Sequence, residues 1–381
     1  MPCGGKGKVV LVMGATATGK SKLAVDLALR FGGEVVNSDK IQVHDGLGVV
    51  TNKVTAAESR GVPHHLIGGV SPDAEYTAAD FCRDATRAVK SVHARGRVPV
   101  IAGGSNRYLE ALLDGEPAFR RRYECCFLWV DADLPVLDRY IRDRVDGMLE
   151  QGLVDEVRGF FKPDADYSRG IRRAIGVPEM DTYFRLEAMG KLDGDDELRA
   201  RLLSDAADEI KANTCRLARR QLRKIRRLHG TPGWSIRRLD ATEVLMLKTR
   251  EATDPDTERA AWEEDVAGPA ARAVATFLHY RKQKLCRAPE PLPRVKKRAL
   301  GKACLCLEHH SVKQKTRQTA LCRVPGTRHR KALGNDNFAE SWALGIPRHS
   351  AKHSYVVQAV IFAESPTRDA RRRYNFAESG P

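Results

Sequence analysis

No stretch of the 381-residue chain approaches the run of about 20 apolar residues that a membrane-spanning helix requires. A cysteine framework is missing too. Nine cysteines are scattered, with Cys125 and Cys126 adjacent, a usage that excludes a disulfide-stapled fold and suits a reducing compartment. Around Cys304, Cys306, His309 and His310 there is no second ligand pair at zinc spacing, so that group is a poor metal site. The body also lacks excess charge. Residues 281–381 hold 22 Lys and Arg against 7 Asp and Glu, whereas residues 1–280 hold 43 against 42, so the formal +16 belongs to the tail. A body this balanced offers no general field for a nucleic-acid backbone. The first apolar run starts by Val9, which leaves little room for a leader, and the expectation is a soluble cytoplasmic protein.

What is present is organised around Gly14-Ala15-Thr16-Ala17-Thr18-Gly19-Lys20-Ser21, a full match to G-x-x-x-x-G-K-[ST]. Val9–Met13 before it reads as a buried parallel strand. After it Leu23, Ala24, Leu27, Ala28 and Phe31 recur at helical spacing, so a helix begins near Ser21. Strand, glycine-rich turn and helix N-terminus together form a phosphate cradle. Lys20 supplies a positive charge to phosphate oxygens, and Ser21 is placed to ligate a bridging Mg²⁺. The loop alone names neither the phosphate compound nor the reaction.

Further along, Glu34–Asn37 reads as a second strand running into Ser38-Asp39-Lys40. In open α/β sheets the carboxyl ends of strands face the ligand crevice, so Asp39 is either a crevice carboxylate or a turn aspartate. His64-His65 reads as a loop pair that neighbours too closely to share one metal ion. Thr77 and Asp80 have the spacing of a capping box, with a helix following. Val98–Ala102 is a third strand, ending in Gly103-Gly104-Ser105-Asn106, whose backbone and side chains are substrate-binding candidates. Phe127–Asp131 is a fourth, and its terminal Asp131 keeps an ATPase or kinase reading open.

From about residue 135 to 230 the pattern is helical. It is interrupted by Arg169, Arg172 and Arg173 in a turn, and ends in a long helix over about 197–228 bearing Arg216, Arg219, Arg220, Arg223 and Lys224. Either cluster is a solvated basic surface or a phosphate-facing wall; Arg172, Arg173, Arg220 and Lys224 are the candidates. A last strand over 235–242 and one helix over 258–278 complete an α/β fold, a P-loop-containing doubly wound parallel sheet with a helical insertion. Beyond residue 280 periodicity fades and Phe-Ala-Glu-Ser appears three times, at Phe338, Phe362 and Phe376, so residues 281–381 are expected to be a disordered basic tail.

Residues 8–280 resemble the plant-type adenylate isopentenyltransferases. The resemblance rests on the phosphate loop, Asn37–Val43, Val50–Thr55, Gly61–Leu66, Ala102–Asn106, Cys125–Asp131 and Arg169–Glu179. It implies transfer of a dimethylallyl group from dimethylallyl diphosphate to the N6 amine of ADP, ATP or AMP, the first step of cytokinin synthesis. It further implies that the loop holds the donor's diphosphate, that Asp39 accepts the N6 proton, and that a plastid is the second candidate compartment. Two positions depart from the family pattern: Ala17 stands where glycine or another small residue is usual, and His44-Asp45 stands where an aromatic and a basic residue are expected. The rival readings are a tRNA dimethylallyltransferase, a small-molecule kinase or NTPase built on Asp131, and a nucleic-acid-binding protein acting through its tail.

Overall fold

A computed structural model describes residues 6–250 and 253–286. The tail beyond residue 286, with its repeats and its Cys-His group, lies outside the described residues. Six strands form one all-parallel sheet in the order β3-β2-β4-β1-β5-β6: β1 Gly7–Gly14, β2 Gly33–Asn37, β3 His64–His65, β4 Val98–Ala102, β5 Tyr123–Asp131 and β6 Ile236–Asp240. Residues Val9 to Met13 of the central β1 are wholly buried. Helices cover both faces of the sheet, which is why that strand is apolar throughout rather than alternating. Val9, Leu11 and Met13 face one core, with the helix Ala78–Ala94 and the second half of the long helix Asp196–His229. Val10 and Val12 face the other, with α1 (Lys20–Phe31) and the C-terminal segment around Trp262 and Val274.

A third apolar cluster, holding Val145, Met148, Val157, Ile171, Met180 and Phe184, makes up the helical insertion. The long helix contributes Ala206 and Ile210 to it, then Ala218, Leu222 and Ile225 to the sheet core, so one element ties both together. The capping box is formed: the Thr77 hydroxyl accepts from Asp80 N while Asp80 accepts from Thr77 N. Thr55 and Glu58 form a second one.

Two sequence expectations need correction. His64 and His65 are an edge strand paired with Val35 and Val36, not loop residues. His64 bonds the Val62 carbonyl through Nδ1, and His65 Nε2 meets Glu34 Oε2 at 2.7 Å. A two-residue strand is too short for any periodicity to reveal it. The expected single helix over 258–278 is three pieces: Pro255–Ala261, a π-helical turn Trp262–Ala267, and Gly268–Cys286. Pro269 lacks the N–H for a regular helical bond and its ring opposes the carbonyl four residues back, so the preceding turn widens. That last helix also carries the body six residues past the expected boundary at 280.

Candidate active site

The carboxyl ends of β2, β4 and β1 lie side by side, and each delivers one part of the site. From β1 comes the phosphate loop. Thr18, fully buried, donates to the Ala15 carbonyl at 2.9 Å, and Lys20 Nζ donates to the same oxygen at 2.5 Å. Gly19 opens α1 at φ 90°, a conformation that favours glycine, and a Cβ there would meet the Trp262 ring at 2.9 Å. Trp262 is itself held by a 2.8 Å bond from Nε1 to Asp26 and by Lys22, whose ammonium lies 4.1 Å from the ring centroid. No side chain caps α1 and no acidic residue sits in its first turn, so its N-terminal N–H groups stay open to an anion. Ala17 takes φ 70°, the left-handed region in which a Cβ is unfavourable.

From β2 comes Asp39. Its Oδ1 accepts from the backbone N–H of Ile41 at 2.8 Å and of Gln42 at 3.4 Å, while no donor among the described residues binds Oδ2. Oδ1 therefore makes the contacts of a turn aspartate, and Oδ2 is left without a donor among the described residues. From β4 comes the Gly103–Asn106 turn. Ser105 Oγ accepts from Lys40 N at 3.0 Å and Asn106 Nδ2 donates to the Gln221 carbonyl at 3.3 Å, so both side chains brace the site from within. Asn106 is buried, and its Oδ1 has no partner among the described residues.

Gln221, missed in the sequence reading, joins two of the loops. Its Oε1 accepts from Thr16 N at 2.7 Å and its Nε2 donates to the Gly104 carbonyl at 3.1 Å. A Cβ on Gly104 would lie 2.4 Å from that Nε2 and 3.6 Å from Asp39 Oδ2, so a side chain there would displace the Gln221 amide. The signal was present in the chain: Gln221 interrupts the buried stripe Ala218, Leu222, Ile225. Arg144 was also missed. Its Nη2 donates to the Thr16 hydroxyl at 3.2 Å.

Two groups of cations flank Asp39. In the phosphate loop, burial lowers the Lys20 pKa to about 8, with Asp39 opposing the shift and Arg144 adding to it. On the other side, burial and the nearby Arg173 and Arg220 lower the Lys40 pKa to about 8. Arg220 is depressed in turn by burial, Arg216 and Arg223. Lys224, one turn on, is half-buried on the same helix.

The predicted arginines divide. Arg173 acts on Lys40 and pairs at 3.4 Å with Glu75. Arg172 is buried and engaged by Asp73 at 2.8 Å and by the Phe160 carbonyl at 2.7 Å, so it braces the insertion. Arg169 is paired with Asp166. Asp131 Oδ2 lies in an ion pair with Arg238 at 2.7 Å, and its Oδ1 is buried with no hydrogen-bond partner among the described residues. The departures at His44-Asp45 are structural in this fold. His44 is fully buried with Nδ1 on the Ser71 carbonyl, and burial pushes its pKa down; Asp45 accepts from Gly69 N at 2.7 Å.

Comparison with known proteins places this geometry. The family model described as IPP transferase matches residues 42–121 and 115–228. Adenylate isopentenyltransferase 5, chloroplastic, of Arabidopsis thaliana is 56% identical over 277 residues, covering 72% of this chain and 81% of the relative. Adenylate isopentenyltransferase 7, mitochondrial, of the same plant is 49% identical over 280 residues, covering 73% and 82%. Among solved structures, the tRNA isopentenylpyrophosphate transferase of Bacillus halodurans superposes with a TM-score of 0.57 at 26% identity, over 74% of this chain and 99% of that one. A parallel sheet with this loop at its centre and this degree of likeness lead to one assignment: the chain belongs to the IPP transferase family, among the plant adenylate isopentenyltransferases, which are prenyltransferases.

Proposed function

We propose that the protein transfers the dimethylallyl group of dimethylallyl diphosphate to the N6 amine of ADP or ATP, with AMP a poorer acceptor, as the first step of cytokinin synthesis. The observation that carries this reading is Asp39, one oxygen fixed by backbone N–H groups and the other unpartnered, set between two groups of cations. The loop, Lys20 and the open end of α1 hold the donor's diphosphate. Lys40, Arg173 and Arg220 meet the acceptor's phosphates. As the bond from N6 to the allylic carbon forms, the bond from that carbon to the diphosphate oxygen breaks and its electron pair leaves with the diphosphate. The N6 proton passes to Asp39 Oδ2. An exocyclic adenine amine is a weak nucleophile, so removing its proton during attack is worth about two to four orders of magnitude. The charge gathering on the leaving group is met by donors already aimed at it.

The residues present fit a Mg²⁺. Ser21 is exposed at the start of α1 and bonds no group among the described residues, and magnesium takes one or two protein oxygens with the rest from substrate phosphates and water. No group of three or more His, Cys, Asp or Glu able to hold a metal occurs among the described residues, so the ion would rely on Ser21 and the diphosphate. Bound there it would offset negative charge on the leaving group.

A tRNA acceptor is disfavoured by the near-neutral body, and a kinase by the likeness to adenylate isopentenyltransferases. Among the described residues no helix is long and apolar enough to cross a membrane. The chloroplastic and mitochondrial designations of the relatives favour an organelle, the plastid first, over the cytoplasm expected from the sequence. The deciding experiment supplies purified protein with labelled dimethylallyl diphosphate and Mg²⁺, and offers AMP, ADP, ATP and tRNA in parallel. Label on ADP and ATP above AMP, and none on tRNA, is the expected result. Label on tRNA, or phosphate release from ATP without donor, overturns it.

A further inference from the structure

Arg144 sits where a charge is hardest to account for. The helix Leu134–Glu150 buries Leu137, Ile141, Val145 and Met148 on one face, and Arg144 falls within that stripe, three residues after Ile141 and four before Met148. Its guanidinium is turned to the phosphate loop, where Nη2 donates to Thr16 Oγ1 at 3.2 Å. Its Nε is buried and has no hydrogen-bond partner among the described residues. Among the described residues no carboxylate lies within 4.0 Å of it, and Asp146, two residues on, is taken by Lys211 at 2.5 Å. Burial disfavours its charged form, and the group that weakly opposes this is the phenol of Tyr140. A second cation, Lys20, is close enough that Arg144 helps to lower its pKa, after burial and against Asp39.

Of the two cations, Lys20 is offset in part by Asp39, whereas Arg144 has no carboxylate within 4.0 Å among the described residues, and its desolvation is not offset by attraction in the free protein. A polyanion bound at the loop supplies the missing charge and the missing acceptors. The open N-terminus of α1 points to the same spot, and a planar fork of N–H groups suits two phosphate oxygens at once.

We infer that Arg144 is a catalytic residue of this site, a direct ligand of the donor's diphosphate that strengthens its hold as negative charge gathers on the departing group. This rests on the transferase reading above. Arg144 acts with Lys20 at the loop, on the donor's diphosphate and not on the acceptor's phosphates.

The test uses the full chain, with inorganic pyrophosphate and AMP as separate probes. Arg144→Met and Arg144→Lys are compared with wild type and with Lys20→Ala by calorimetry, by melting temperature without ligand, and by steady-state kinetics in the donor. For Arg144→Met the expected results are a ligand-free melting temperature equal to or above wild type, pyrophosphate affinity weakened at least tenfold, and AMP affinity changed less than twofold. Its kcat/KM for the donor should fall more than a hundredfold, and Arg144→Lys should recover part of it. A lower ligand-free melting temperature with unchanged pyrophosphate affinity makes Arg144 a structural strut and overturns the inference. If Arg144→Met does not fold, an unchanged pyrophosphate affinity in Arg144→Lys, which loses the forked geometry, overturns it equally. Failure of the wider reading would look different: wild type itself would not bind pyrophosphate, or Lys20→Ala would bind it normally.

Discussion

The chain contains two kinds of arginine and lysine cluster, and they differ in what stands opposite the charge. In the insertion, Arg172 meets Asp73, Arg169 meets Asp166, and Arg158 meets Glu187 and Asp155. Each cation there has its anion in the same molecule. At the mouth of the sheet, Lys20 and Arg144 are partly buried with no carboxylate within 4.0 Å among the described residues, Asp39 favouring the charge of Lys20 alone of the two, and burial, then Arg173 and Arg220, lower the Lys40 pKa. Basic residues look alike in a sequence. The missing counter-charge is what separates a phosphate site from a brace, because an enclosed charge left unpaired is costly to the free protein.

The comparison is broken most severely by Lys20→Ala. Removing the loop's point charge should abolish measurable turnover, a fall of more than about a thousandfold, and weaken donor binding. Unchanged donor affinity by calorimetry would return Lys20 to the structural class.

A change of pH tests the same contrast without mutation. The pKa of Lys20, lowered to about 8, means its charge is mostly present at pH 7 and mostly lost at pH 9. The diphosphate needs the charged form, so kcat/KM for the donor should fall about tenfold across that interval. The effect on stability has the opposite sign. The unfolded lysine holds its proton up to about 10.5, so between about 8 and 10.5 the unfolded state binds more protons and the folded state gains stability as pH rises. Lys20→Arg should flatten the donor profile, and a profile that stays steep would trace the effect to another group.

For a paired cation the expectation is reversed. Arg172→Ala should lower stability by about 1–3 kcal/mol through loss of the Asp73 pair and the Phe160 contacts, while the KM of both substrates stays within twofold. A raised acceptor KM with a normal melting temperature would move Arg172 into the site. The smallest effect belongs to Ala17, held at φ 70°. Ala17→Gly should stabilise the protein by up to about 1 kcal/mol, since the strain relieved outweighs the added freedom of the unfolded chain. A lower melting temperature would contradict that.

Much of this site could be read from the chain, and the misses have causes. The loop, Asp39 and the Gly103-Gly104 turn follow from strand ends, because a parallel sheet puts them at one edge. Arg172 and Arg173 are adjacent, yet only tertiary contacts assign one to Asp73 and leave the other beside Lys40. Gln221 and Arg144 share a signature passed over in the sequence: a polar or charged residue set into the buried stripe of an amphipathic helix. Such a residue must find a partner inside the fold, and here both find it in Thr16. The break at Gly268-Pro269 was written in the chain too, but strong periodicity on both sides hid it.

The central claim is that Asp39 divides its two oxygens between holding the turn and taking the proton. Asp39→Asn keeps an oxygen to accept from Ile41 N and loses the capacity to accept the N6 proton. Single-turnover transfer to ADP, measured on that variant beside its pyrophosphate affinity and melting temperature, separates the two duties. The account predicts a chemical step slower by about two to four orders of magnitude, with affinity and melting temperature close to wild type. A near-normal chemical step, or a slow one explained by a collapsed melting temperature, would contradict it.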